Sequence, residues 1–145
     1  MQNGELYYTF NLYALDDEAV RKTDPFIVSE HAYDEAIGLS RSFETLGYAF
    51  PTPSDAMHAA KRLYFNRKYE MLGRAYRFDE KNYTPFYNVE TGFIEAVNAA
   101  APMPGGVYFD TEEEALKAVK RFEVEDFCHY VLGIRNVRVY VGRDV

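Results

Sequence analysis

The sequence predicts an α+β fold: a single two-layer domain over residues 1–145, its antiparallel or mixed sheet packed by three to four helices. Three observations carry that prediction: short aromatic, β-branched segments, helix-period segments lying between them, and one segment that occurs twice. At a constant offset of 59, residues 49–65 lie over 108–124 with six identities, Phe50/Phe109, Thr52/Thr111, Ala56/Ala115, Ala59/Ala118, Lys61/Lys120 and Arg62/Arg121. Chance gives about one or two. The echo reads as an internal β–α duplication, with Thr52 and Thr111 as helix N-caps and Phe50 and Phe109 closing the extended segment before each helix. Thr111 with Glu114 makes a capping box, Thr52 with Asp55 a shorter version, and Pro53 suits the first helical position. A fainter third copy runs from Tyr33-Asp34-Glu35-Ala36-Ile37 to Phe43.

In chain order, Leu6–Tyr13 is rich in aromatic and β-branched types and predicts a strand. Asp16-Asp17-Glu18 opens a turn or short helix, and Pro25–Val28 predicts a second extended piece. Ser29 or Ala32 starts a helix carrying Ile37, Phe43 and Leu46 and stopping at Gly47. Pro53 to about Leu72 is the longest helical stretch, with Gly73 as its stop. Tyr83–Asn88 and Gly92-Phe93-Ile94 flank Val89-Glu90-Thr91 as a hairpin, and Pro85 confines the first of these strands to an edge. Residues 98–106 form a loop, Val107-Tyr108-Phe109 enters the helix from Thr111 to about Phe122, and a further helical stretch through Phe127 and Leu132 ends near Gly133. Asn136–Val141 alternates and predicts a closing strand.

Composition narrows the functional classes. The 145 residues carry 23 acids and 16 bases for a net charge of −7, with 13 Tyr, 11 Phe, no Trp and one cysteine. A lone Cys128 excludes an intrachain disulfide. No leader-like N-terminus and no run of ~18–20 apolar residues is present, so a soluble, cytoplasmic protein without membrane contact is expected. His31, His58 and His129 lack metal-ligand spacing. Cys128 and His129 are neighbours in sequence and point apart. Glycine-rich phosphate motifs are absent. No catalytic residues, metal or cofactor are therefore assigned, and a non-enzyme is expected.

The charge is uneven. Residues 61–81 carry seven bases and three acids, against ten acids and three bases in residues 1–60. This basic segment interleaves rings with cations, as single-strand nucleic-acid grooves do. Its candidate nucleic-acid or partner contacts over 61–77 are Arg62, Arg67, Lys68, Tyr69, Arg74 and Arg77. Helical geometry scatters these cations around the axis, and the protein as a whole is acidic. Both facts weigh against a polyanion ligand.

Residues 82–122, with Asn82-Tyr83-Thr84-Pro85-Phe86-Tyr87-Asn88 followed by Gly106-Val107-Tyr108-Phe109-Asp110-Thr111-Glu112-Glu113-Glu114-Ala115, resemble a module of small bacteriophage and prophage proteins. In that module an aromatic strand precedes a G-x-x-F-x-T-x-E-E-A strand-to-helix joint. The resemblance implies a mobile-element protein without catalytic activity that binds and blocks a host protein, defence nucleases included. The leading expectation is thus a protein-binding module, and nucleic-acid binding through 61–77 is the alternative.

Overall fold

The computed structural model describes residues 1–134 and 140–141. It is α+β, as expected. Among the described residues the strands form two sheets rather than one. The chain divides into two compact units, Met1–Tyr64 and Phe65–Val145.

In the first unit, β1 (Leu6–Phe10) pairs antiparallel with β2 (Val28–Ala32), Tyr8 opposite Glu30. Between them run a 3-10 turn at Leu12–Ala14, helix α1 (Asp17–Lys22) and a second 3-10 turn at Pro25–Ile27. Asp16 caps α1, its carboxylate accepting from the Ala19 N–H at 2.9 Å. The expected helix from Ser29 or Ala32 is a correction: that stretch is β2, and the helix, α2, spans Gly38–Leu46. The hydrogen bonds offered by β1 claim Val28–Ala32 for the sheet, and an Asx turn at Asp34, with the Ala36 N–H donating to its carboxylate, delays the helix. The third copy of the echo dissolves for the same reason. Gly47 stops α2 as expected, at φ 75°. The core of this unit holds Tyr7, Val20, Ile27, Tyr33, Ala56 and Ala60.

Helix α3 (Pro53–Glu70) carries the chain across the unit boundary. In the second unit β3 (Tyr83–Asn88) and β4 (Phe93–Asn98) form the expected hairpin, and β4 pairs in parallel with β5 (Tyr140–Val141). The rest of the closing strand expected from Asn136 lies outside the described residues. Helix α4 (Glu112–Val119) packs on the face of β3 and β4. A short helix α5 (Val124–Asp126) continues into a π-helical turn at Phe127–Val131. The core gathers Tyr69, Ile94, Val107, Phe109, Ala115, Val119, Phe127 and Cys128.

The sequence echo is also a structural one, with a copy in each unit. Phe50 bridges β1 at Tyr8, on the edge away from β2, and Phe109 bridges β3 at Tyr83, on the edge away from β4. Two residues later come the caps: Thr52 Oγ1 accepts from the Asp55 N–H and Thr111 Oγ1 from the Glu114 N–H, each at 3.1 Å. Beyond the caps Ala56, Ala60, Ala115 and Val119 are all fully buried. Arg62, Lys120 and Arg121 are exposed and Lys61 half-buried. A strand, its antiparallel partner, a bridging phenylalanine and a threonine-capped helix therefore recur in the same order.

Candidate interaction surfaces

The first unit opens a groove of about 420 Å³ lined by Thr9, Phe10, Asn11, Leu12, Tyr13, Phe43, Leu46, Tyr48 and Leu63. Four segments build it. β1 ends in Phe10 and leads straight into the 3-10 turn, which throws Leu12 and Tyr13 outward. α2 contributes Phe43 and Leu46. The residue after Gly47 contributes Tyr48, and α3 contributes Leu63. Phe10 holds Tyr48 edge-on at 5.4 Å and 71°. Leu12 is 65% exposed, Leu46 66% and Tyr13 fully exposed. Large apolar side chains lining a concave surface in water are what contact sites present and what ordinary polar surface avoids. The groove is not legible in the sequence, because the patch exists only once positions 9–13, 43–48 and 63 are brought together.

The candidate contacts of the basic segment divide into exposed and inward-turned groups. Arg62, Arg67, Lys68 and Arg77 are exposed. Arg67 pairs with Glu70 at 3.2 Å, and Arg77 lies at the limit of pairing with Glu80 and Asp110, at 4.0 and 3.9 Å. Tyr69 is a correction. It is only 7% exposed, packed edge-on against Phe127 at 5.2 Å, so its ring has no free face for a base. Burial raises its pKa, partly offset by a hydrogen bond with Thr84. Arg74 is a second correction. Its side chain is 16% exposed and works inward. Nε and Nη2 both reach Asp110 Oδ1, at 2.8 and 2.7 Å, Nη2 donates to the Lys81 carbonyl, and Nη1 donates to Asn82 Oδ1 at 2.8 Å.

Asn82 is the hub of that arrangement and is fully buried. Its Oδ1 also accepts from the Arg77 N–H, and its Nδ2 donates to the carbonyls of Arg77 and Glu80, at 2.8 and 2.9 Å. Its backbone N–H donates to Asn98 Oδ1 at 2.9 Å. Every polar atom of the amide is thereby satisfied, which makes burial of this polar group tolerable. The result is a fixed loop over residues 74–82. At its tip Phe78 is 78% exposed, and beside it Asp79 holds φ 63°.

The remaining reactive groups are structural. His31 lies in β2. It stacks on Tyr7 at 5.4 Å and meets Ser29 Oγ through Nε2 at 3.0 Å. Cys128 is 1% exposed, and burial pushes its thiol up to about 11, which leaves little thiolate at neutral pH. Among the described residues no three His, Cys, Asp or Glu side chains gather as a metal site. No helix among them is long and apolar enough to cross a membrane. No family model matches the chain, and neither curated proteins nor solved structures provide a match.

Proposed function

We propose that the protein is a protein-binding module whose first unit takes an apolar, basic-flanked surface of its partner into the groove between β1, α2 and α3. The observation that carries this reading is the exposure of Leu12, Tyr13 and Leu46 around one concavity that Phe10, Phe43 and Tyr48 also line. Aromatic and aliphatic anchors in a depression supply most of the energy in protein contacts. Charge supports the sign of the partner. Residues 1–64 hold ten acids and five bases, so a cationic flank is attracted and an acidic one repelled. Occupation of a cationic nucleic-acid channel on a host nuclease is the inhibitory form of this reading, in keeping with the resemblance of residues 82–122 to mobile-element proteins.

A tagged chain and its Leu46→Asp variant, compared at low salt, test it. The wild type recovers a stoichiometric basic protein and the variant does not. Equal recovery by both, or no stoichiometric partner for the wild type, removes the proposal.

A further inference from the structure

Phe78 is the one exposed aromatic ring among residues 65–134. Loops seldom leave a phenylalanine in water, and this one is held there. Asn82 and Arg74 fix the loop, and a ladder of rings anchors the tip. Tyr108, 2% exposed, meets Tyr76 edge-on at 5.3 Å, and Tyr76 meets Phe78 edge-on at 5.4 Å and 79°. An aromatic anchor ordered before contact loses little freedom on binding.

The first unit supplies a matching receptacle, the groove lined by Phe10, Leu12, Phe43, Leu46, Tyr48 and Leu63. We propose that Phe78 of one copy enters this groove on a second copy, so that the protein self-associates by knob and socket. The inference rests on the groove being a docking surface and names its occupant. Two features favour a second copy. The knob is apolar and aromatic, as is the socket. Residues 65–81 carry five bases and three acids, whereas residues 1–64 carry ten acids and five bases, so the contact joins opposite charges. The tip itself is charge-balanced, with Arg77 and Lys81 against Asp79 and Glu80, so the attraction comes from the wider 65–81 segment. Because knob and socket are different surfaces, the contact is head-to-tail and each complex retains a vacant partner unless it closes on itself. A contact of this size belongs to the weak class, with dissociation on the order of 10⁻⁵ M.

Sedimentation velocity on the purified protein tests it. The average mass of the wild type rises with concentration and falls as salt is raised from about 20 mM to about 0.5 M. Phe78→Asp keeps only the socket, Leu46→Asp keeps only the knob, and each alone stays monomeric. An equimolar mixture of the two regains a complex capped at a dimer, which only a knob-and-socket contact allows. Both positions are exposed, so folding is retained, and circular dichroism verifies it. Phe78→Ser repeats the loss without introducing charge. A wild type still monomeric at about 0.2 mM overturns the proposal, as does association that persists in either single variant or a mixture that stays monomeric. A monomeric wild type that nevertheless captures a basic partner sensitive to Leu46→Asp discards the knob and leaves the groove's function intact.

Discussion

Phe50 and Tyr8 exchange both backbone hydrogen bonds, each at 2.8 Å, and Phe109 does the same with Tyr83, at 2.8 and 2.9 Å. In both places the bridge fixes the last extended residue, and a threonine two positions on starts the helix. The two caps are geometrically equal, so Thr52→Ala and Thr111→Ala should each cost about 1 kcal/mol. Urea unfolding of the two variants measures this. A cost below about 0.3 kcal/mol for either shows that its helix start is held by the bridge alone.

Gly73 is required by close approach, without an unusual φ. A Cβ there would collide with the Val107 side chain and sit 2.8 Å from the Tyr108 carbonyl oxygen, just where Arg74 bridges Tyr108. Neither neighbour yields easily, since one is core and the other is backbone. Gly73→Ala should destabilise by about 1–3 kcal/mol, the range for overpacking. Thermal unfolding reads it out, and an unchanged midpoint contradicts the close contact.

Asn82→Leu replaces a saturated amide by an alkyl group of similar size. It strands the Arg77 N–H and the Arg77 and Glu80 carbonyls, and it takes one acceptor from Arg74. At about 1–3 kcal/mol for each buried group left unpaired, partly relieved by water, the expected loss is on the order of 3 kcal/mol. Hydrogen exchange at Arg77 should quicken while that of β4 changes little. Uniform quickening across the second unit would mean that the loop is not a separate fixture.

Alkaline pH should weaken the fold. The Cys128 thiol, ordinarily near 9.0, is pushed up to about 11 by burial, and Tyr69 is raised from 10.0 in the same direction. The native state holds these protons where the unfolded chain has released them. The thiol's stabilisation is complete below about pH 9 and is lost as pH climbs from about 9 through about 11, while that of Tyr69 begins to fall only above about pH 10 and continues further. Urea midpoints across that window should fall, and Cys128→Ala should flatten the lower part of the fall. A wild type and a Cys128→Ala variant with superimposable pH profiles would refute the thiol's share. Native Cys128 should likewise resist alkylation at pH 8 until urea exposes it.

Local signals in the sequence carried most of the elements. The hairpin at Val89-Glu90-Thr91, both threonine caps, the stop at Gly47 and the edge position of Pro85 all follow from side-chain chemistry acting over a few residues. Pairing at a distance was not legible. Val28–Ala32 contains Glu and His and has the composition of a helix start, yet Leu6–Phe10 offers it a strand partner. Helix α2 begins at Gly38 after Ile37 with no side-chain cap, so nothing in the chain marks its start. Tyr69 looked like a groove residue because its neighbours are cations; its burial depends on Phe109, Phe122 and Phe127, which arrive 40 to 58 positions later. The groove was not legible for a similar reason, since its walls come from three separate stretches, positions 9–13, 43–48 and 63. The role of Asn82 was not legible either, because one buried asparagine cannot be told from a solvated one without its partners.

Pro85 has a consequence for how this protein behaves at high concentration. Tyr83 turns its N–H toward Phe109, so the residue two places on would aim its own N–H off that same edge of β3. That residue is proline and has none. Toward β4 nothing is lost, because Thr84 and Phe86 face the hairpin there. Past the short bridge to Phe109, a foreign strand trying to lengthen this sheet finds a missing donor at its first step. Growth of ordered β-aggregates from the outer edge of β3 is thereby obstructed by a single ring, at no cost to the pairing inside.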